Sequence, residues 1–122
     1  MAIYFTTNNA GGLHTAFKQA IANNHHQGSA VQRIDTWRHV VHQGRDFYTH
    51  TAQNWKDKAF LRADVEANRL TFNITTAQGV PLTREIYAYY AGHLIETFIR
   101  HFPTMFTAAQ ATPSAASGDA SF

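Results

Sequence analysis

Two histidines, one carboxylate and two large aromatics alternate about Gln43-Gly44: Trp37, His39, Asp46, Tyr48 and His50. If Gln43-Gly44 is a hairpin loop, Trp37, His39, Val41, Asp46, Tyr48 and His50 share one face. Cross-strand neighbours are then Trp37/His50 and His39/Tyr48. Two imidazoles and a carboxylate are the ingredients of a general acid–base pair or of a facial iron triad. A small His-dependent enzyme, such as a ribonuclease or metal-assisted hydrolase, would use His39, Asp46 and His50. The aromatic face also offers flat surface on which a nucleic-acid base stacks. The simpler reading is an amphipathic sheet face or an interface, since aromatic-rich, charge-poor surface more often meets another protein. We therefore expect a non-enzymatic binding or assembly module that acts as a homodimer. Trp37, His39, Asp46, Tyr48 and His50 are its ligand or interface candidates. No residue is assigned as catalytic or metal-ligating, and no cofactor is expected. If these histidines lie in the interface, self-association weakens as pH falls toward 5.5.

Other motifs carry less. His39-Val-Val-His42 would place two ligands together on a helix but on opposite faces of a strand, and it lacks the acid of a zinc-protease motif. Asn8-Asn9-Ala10-Gly11-Gly12 leads into a helix, but no phosphate-binding glycine pattern is present. Two glycines easing a tight turn explain it. Glu85, Tyr89, His93, Glu96 and Arg100 form a helical stripe that reads as a solvated face with a Glu96–Arg100 pair. Serine is scarce before residue 111 and no G-x-S-x-G occurs, so a serine hydrolase is unsupported.

The elements that must position these residues follow from periodicity. Ala2–Thr6 is apolar and β-prone, a first strand. Leu13, Ala16, Phe17, Ala20 and Ile21 form one stripe of a helix spanning about Asn9–Asn24. Gly28–Asp57 reads two ways. Val31, Ile34, Trp37 and Val41 have helical spacing, whereas Trp37–Val41 and Phe47–Thr51 suit a hairpin, which the turn residue Gly44 favours. Ala59–Val65 against Leu70–Thr76 is the clearest hairpin. It pairs Val65/Leu70, Ala63/Phe72 and Leu61/Ile74 on an apolar face, and Asp64/Thr71 and Arg62/Asn73 on a polar one. Phe60 interrupts the polar side and suggests partial cover there. A second helix spans about Thr83–Phe102, capped by Thr83 and stopped by Pro103. Thr104–Gln110 is expected to add a further turn.

The order β-α-β-β-β-β-α, with one apolar sheet face and two matching helix stripes, predicts an α+β two-layer sandwich. Its sheet is mostly antiparallel and both helices pack on one face. The domain is expected over 1–106, with 107–122 an Ala/Ser-rich mobile C-terminal tail.

Composition bounds the function. The 122 residues suffice for one core, and 44% are hydrophobic. Cysteine is absent, which excludes disulfides, thiolate metal sites and cysteine catalysis. Ten Lys+Arg against eight Asp+Glu leave a charge of +2, with basic residues dispersed among acids. That dispersal does not favour nucleic acid as partner. No apolar run reaches the ~20 residues of a membrane span, and no secretory signal is visible, so a cytoplasmic location is expected. Eight histidines should make surface charge climb steeply in mild acid.

Overall fold

The computed structural model describes residues 1–23, 34–77, 79–114 and 120–121. The chain runs β1 (Ala2–Thr6), α1 (Ala10–Ala22), β2 (Trp37–His42), β3 (Arg45–His50), β4 (Phe60–Val65), β5 (Arg69–Thr76), α2 (Arg84–His101), β6 (Ala108–Ala111) and β7 (Ala120–Ser121). One sheet has the order β2-β3-β4-β5-β1-β6, every neighbour antiparallel. The two residues of β7 pair in parallel with the end of β5. This is an α+β arrangement with both helices packed against the sheet.

Both hairpins adopt the register that side-chain alternation demands. Leu61 lies opposite Ile74, Ala63 opposite Phe72 and Val65 opposite Leu70. In the first hairpin Trp37 pairs with His50 and His39 with Tyr48. Gln43 and Gly44 both have positive φ, +52° and +74°, the backbone of a two-residue type I′ turn. Segment 37–50 is therefore a hairpin and not a helix; residues 24–33 lie outside the described residues.

The helices start where side chains can bind the exposed first-turn amides. Asn9 Oδ1 accepts from Gly12 N–H at 3.0 Å, and Thr83 Oγ1 accepts from Ile86 N–H at 3.1 Å. A Cβ on Gly12 would lie 2.4 Å from Asn9 Nδ2, so this glycine admits its own helix cap. Leu13 and Phe17 of α1 and Leu94 and Phe98 of α2 are fully buried. Phe17 meets Phe72 and Phe98 at ring distances of 6.0 and 4.9 Å, and Phe98 stacks on Phe5 at 4.2 Å. Burying each such ring contributes up to about 3 kcal/mol.

The structure departs from the sequence reading in three places. Residues Thr104–Gln110 do not extend α2. Pro103 and the Phe102 cap end it, and Ala108–Ala111 pair with β1 as a sheet edge. Within the tail expected over 107–122, Thr107 N–H and Thr112 N–H also bond to Thr6 and Ala2 carbonyls. Small side chains bury little surface, but main-chain pairing to an open edge does not require them to. Val65 has the expected face yet sits at a strand end, 54% exposed.

Candidate functional site

The hairpin face that carries Trp37, His39, Asp46, Tyr48 and His50 points at the helices. Trp37 and Tyr48 are core residues, covered by Phe17 of α1 and by α2. The second-copy cover suggested for the Trp37/Tyr48 face is supplied by the chain's own helices. The Trp37 and Tyr48 rings are themselves buried. Apolar stripes on α1 and α2 need a partner, and the aromatic half of the sheet provides it.

The five candidates divide into two neighbourhoods along the strands. At one end, Asp46 collects three cationic or imidazole groups. His39 Nε2 donates to its Oδ1 at 2.6 Å, Lys18 Nζ donates to its Oδ2 at 3.2 Å, and His14 Nε2 lies 3.9 Å from Oδ2. His14 Nε2 and the Tyr48 hydroxyl are 2.7 Å apart, and the His39 ring stacks on Tyr48 at 5.1 Å. Burial works against the Asp46 carboxylate, but hydrogen bonds from His39 and Lys18 outweigh it and hold the carboxyl below its ordinary range. Burial, then the Lys18 charge, push the His14 imidazole below its ordinary value despite the opposing pull of Asp46. Burial and the Asp46 charge raise the Tyr48 phenol far above its ordinary range. His14 and Tyr48 thus form a neutral, buried hydrogen-bonded pair at pH 7.

His50 lies at the other end and belongs to a different set. Its Nδ1 accepts from Ala52 N–H at 3.0 Å. Trp37, Tyr89 and His93 surround it at ring distances of 5.1, 5.0 and 5.0 Å. The set His39, Asp46 and His50 is therefore joined only at His39–Asp46. Among the described residues, no three His, Asp or Glu side chains are grouped to hold a metal ion.

Sequence reasoning missed His14, Lys18 and Tyr90. His14 and Lys18 are four apart on α1 and flank the Phe17 stripe, so their proximity was readable. Their aim at Asp46 was not, because it depends on where α1 lies over the sheet. Tyr90 falls three residues after Tyr87 and four before Leu94, on the apolar stripe itself. It is fully buried, and its hydroxyl reaches the Thr49 hydroxyl at 3.1 Å and the Trp55 carbonyl. The helical stripe of Glu85, Tyr89, His93, Glu96 and Arg100 is split. Glu96 and Arg100 form the expected exposed pair at 3.5 Å, while Tyr89 and His93 stack at 4.1 Å beside His50. His42 falls on the sheet face opposite His39, as strand alternation requires.

Several dispersed cations are paired. Arg38 bonds Asp57, Arg45 and Arg62 both bond Asp64, and Arg69 bonds Glu66 at 3.3 Å while lying over the Tyr4 ring at 4.1 Å. No described helix is long and apolar enough to cross a membrane. Clefts of about 360, 300, 250 and 260 Å³ lie away from the Asp46 cluster, lined chiefly by α2, its C-terminal connection and the ends of β1 and α1. Compared with known protein families, curated proteins and solved structures, the chain matches none.

Proposed function

We propose that the chain is a non-enzymatic assembly module acting as a homodimer, in which two copies join through β2. The observation that carries this reading is the edge position of β2, which among the described residues pairs on one side only, with β3. Thr51 N–H bonds the Thr36 carbonyl at 3.0 Å, which fixes the phase of the ladder. Residues 38, 40 and 42 then bond inward to β3, and the main-chain N–H and C=O of Trp37, His39 and Val41 point outward.

Those three residues are self-complementary about His39. An antiparallel copy sets Trp37 against Val41 of the partner subunit and His39 against the partner's His39, each pair exchanging both main-chain bonds. The strand carries no proline, lysine or bulge, the usual devices that keep an edge from pairing. Val41 is 63% exposed on the helix-bearing face, and this pairing would cover it. The two central imidazoles would each keep Asp46 at 2.6 Å.

General acid–base chemistry at His39 is the second reading, favoured by the short Asp46 contact. It ranks lower because Lys18 shares the carboxylate.

Sedimentation of the wild-type chain at high micromolar concentration tests the proposal, which expects a dimer. Val41→Pro removes one outward N–H and leaves the bonds to β3 intact. It is expected to give a folded monomer. A monomeric wild type overturns the homodimer; a dimer that survives Val41→Pro overturns the β2 contact alone.

A further inference from the structure

We propose that His50 is a pH-sensitive latch that holds the 51–59 segment against α2 at neutral pH and releases it in mild acid. His50 is 3% exposed, at the point where β3 leaves the sheet. Its Nδ1 accepts from Ala52 N–H, so the neutral ring carries its hydrogen on Nε2. That Nε2 is buried and has no hydrogen-bond partner among the described residues. A second proton could bind only at Nδ1, where it would meet Ala52 N–H head-on. Protonation therefore breaks the bond that begins the segment and places an unpaired charge among rings.

Several contacts of the segment with the rest of the fold run near this point. Thr51 bonds the Thr36 and Asp35 carbonyls, at 3.0 and 2.8 Å. Asp57 N–H donates to Thr49 Oγ1 at 3.1 Å. Trp55 stacks flat on Tyr89 at 4.1 Å, and the Tyr90 hydroxyl donates to its carbonyl. Tyr89 and Tyr90 are the same rings that flank His50. The ring that must accommodate a charge and the rings that hold the segment are thus one packed group.

Among the described residues, the groups facing His50 offer that charge no counter-ion. From α2 they are Tyr89, Tyr90 and His93, and from β2 the Trp37 indole. On the segment itself, Asp57 is held by Arg38 and Lys58 lies over the Trp55 ring, leaving Lys56 exposed. Burial, then His93, hold the imidazole below its ordinary value. In the released segment His50 titrates near the ordinary value of about 6.5. The released form binds the proton more readily, so latching is complete above that pH and weakens as pH falls below it, by up to about tenfold per pH unit.

Amide hydrogen exchange between pH 7.5 and 5, corrected for the intrinsic pH dependence, reads this directly. Residues 52–58 of the wild type are expected to lose protection below pH 6.5, while β4 and β5 keep theirs. His50→Asn retains an acceptor for the Ala52 N–H, as in an Asx turn, but cannot titrate. Its segment is expected to stay protected throughout. His93→Gln removes the opposing imidazole, brings the latched His50 closer to its released proton affinity, and should shrink the acid loss and move its midpoint to lower pH. An acid loss that persists in His50→Asn, a midpoint that does not fall in His93→Gln, or a loss shared by β4 and β5 overturns the latch.

Discussion

Replacing Tyr48 by Phe removes one oxygen from a fully buried ring and leaves His14 Nε2 without its 2.7 Å partner. Replacing His14 by Leu strands the phenol in the same way. A neutral hydrogen bond contributes about 1 kcal/mol net, whereas removing one partner and stranding the other in the interior costs about 1–3 kcal/mol. Each single substitution is therefore expected to destabilise the fold by about 2 kcal/mol. The double variant strands neither group and loses only the net bond, about 1 kcal/mol. The coupling energy of the cycle is then about 3 kcal/mol, well above the ~0.5 kcal/mol scatter of independent sites. Urea denaturation measures it, since 2 kcal/mol moves a midpoint by roughly 1 M at ordinary m values. Both partners are neutral at pH 7, the imidazole held down and the phenol held up by burial. Coupling should thus be the same at pH 7 and 8.5. Additive single effects, or coupling that changes across that range, would refute the neutral-pair assignment.

Two further substitutions test how the sheet is built. Gln43 has φ +52° before a glycine at +74°, and asparagine adopts that backbone more readily. Gln43→Asn is expected to raise stability by about 0.5 kcal/mol in thermal denaturation; a lower melting temperature would count against the turn type. Phe72 is fully buried among the rings of Phe5, Phe17, Tyr48 and Phe98. Phe72→Ala should cost about 3–5 kcal/mol, and a loss below about 1 kcal/mol would show that this ring is not at the core.

The hairpins were legible because their faces alternate with a period of two, and a slip of one residue mixes apolar with polar partners. The helices were legible because their stripes repeat at i, i+3 and i+4. Strand β6 was not. Its sequence, Ala-Ala-Gln-Ala, has no strand preference of its own, and it pairs because β1 leaves one edge open beside β5. Half of the site was legible by the same logic. Strand alternation placed His39, Asp46 and Tyr48 together but also admitted His50, whose separation follows from distance along the strand and from the rings of α2. His14 and Lys18 reach Asp46 across 32 and 28 positions of sequence, a contact that local periodicity does not encode.

Histidine content alone does not predict how this fold responds to acid. Of the described histidines, His14 and His50 are buried and resist protonation, for different structural reasons. At His14, Nε2 already faces a phenol and Lys18 lies nearby, while Asp46 stands ready to compensate a positive charge. At His50, no carboxylate among the described residues faces the ring, and its one acceptor nitrogen is used by a main-chain amide. A proton forced onto His14 can be accommodated by a small shift toward Asp46. A proton forced onto His50 must expel a backbone contact. The steep gain of surface charge expected from eight histidines is therefore blunted at these two positions, and the strain falls at the end of β3, where the chain turns away from the sheet.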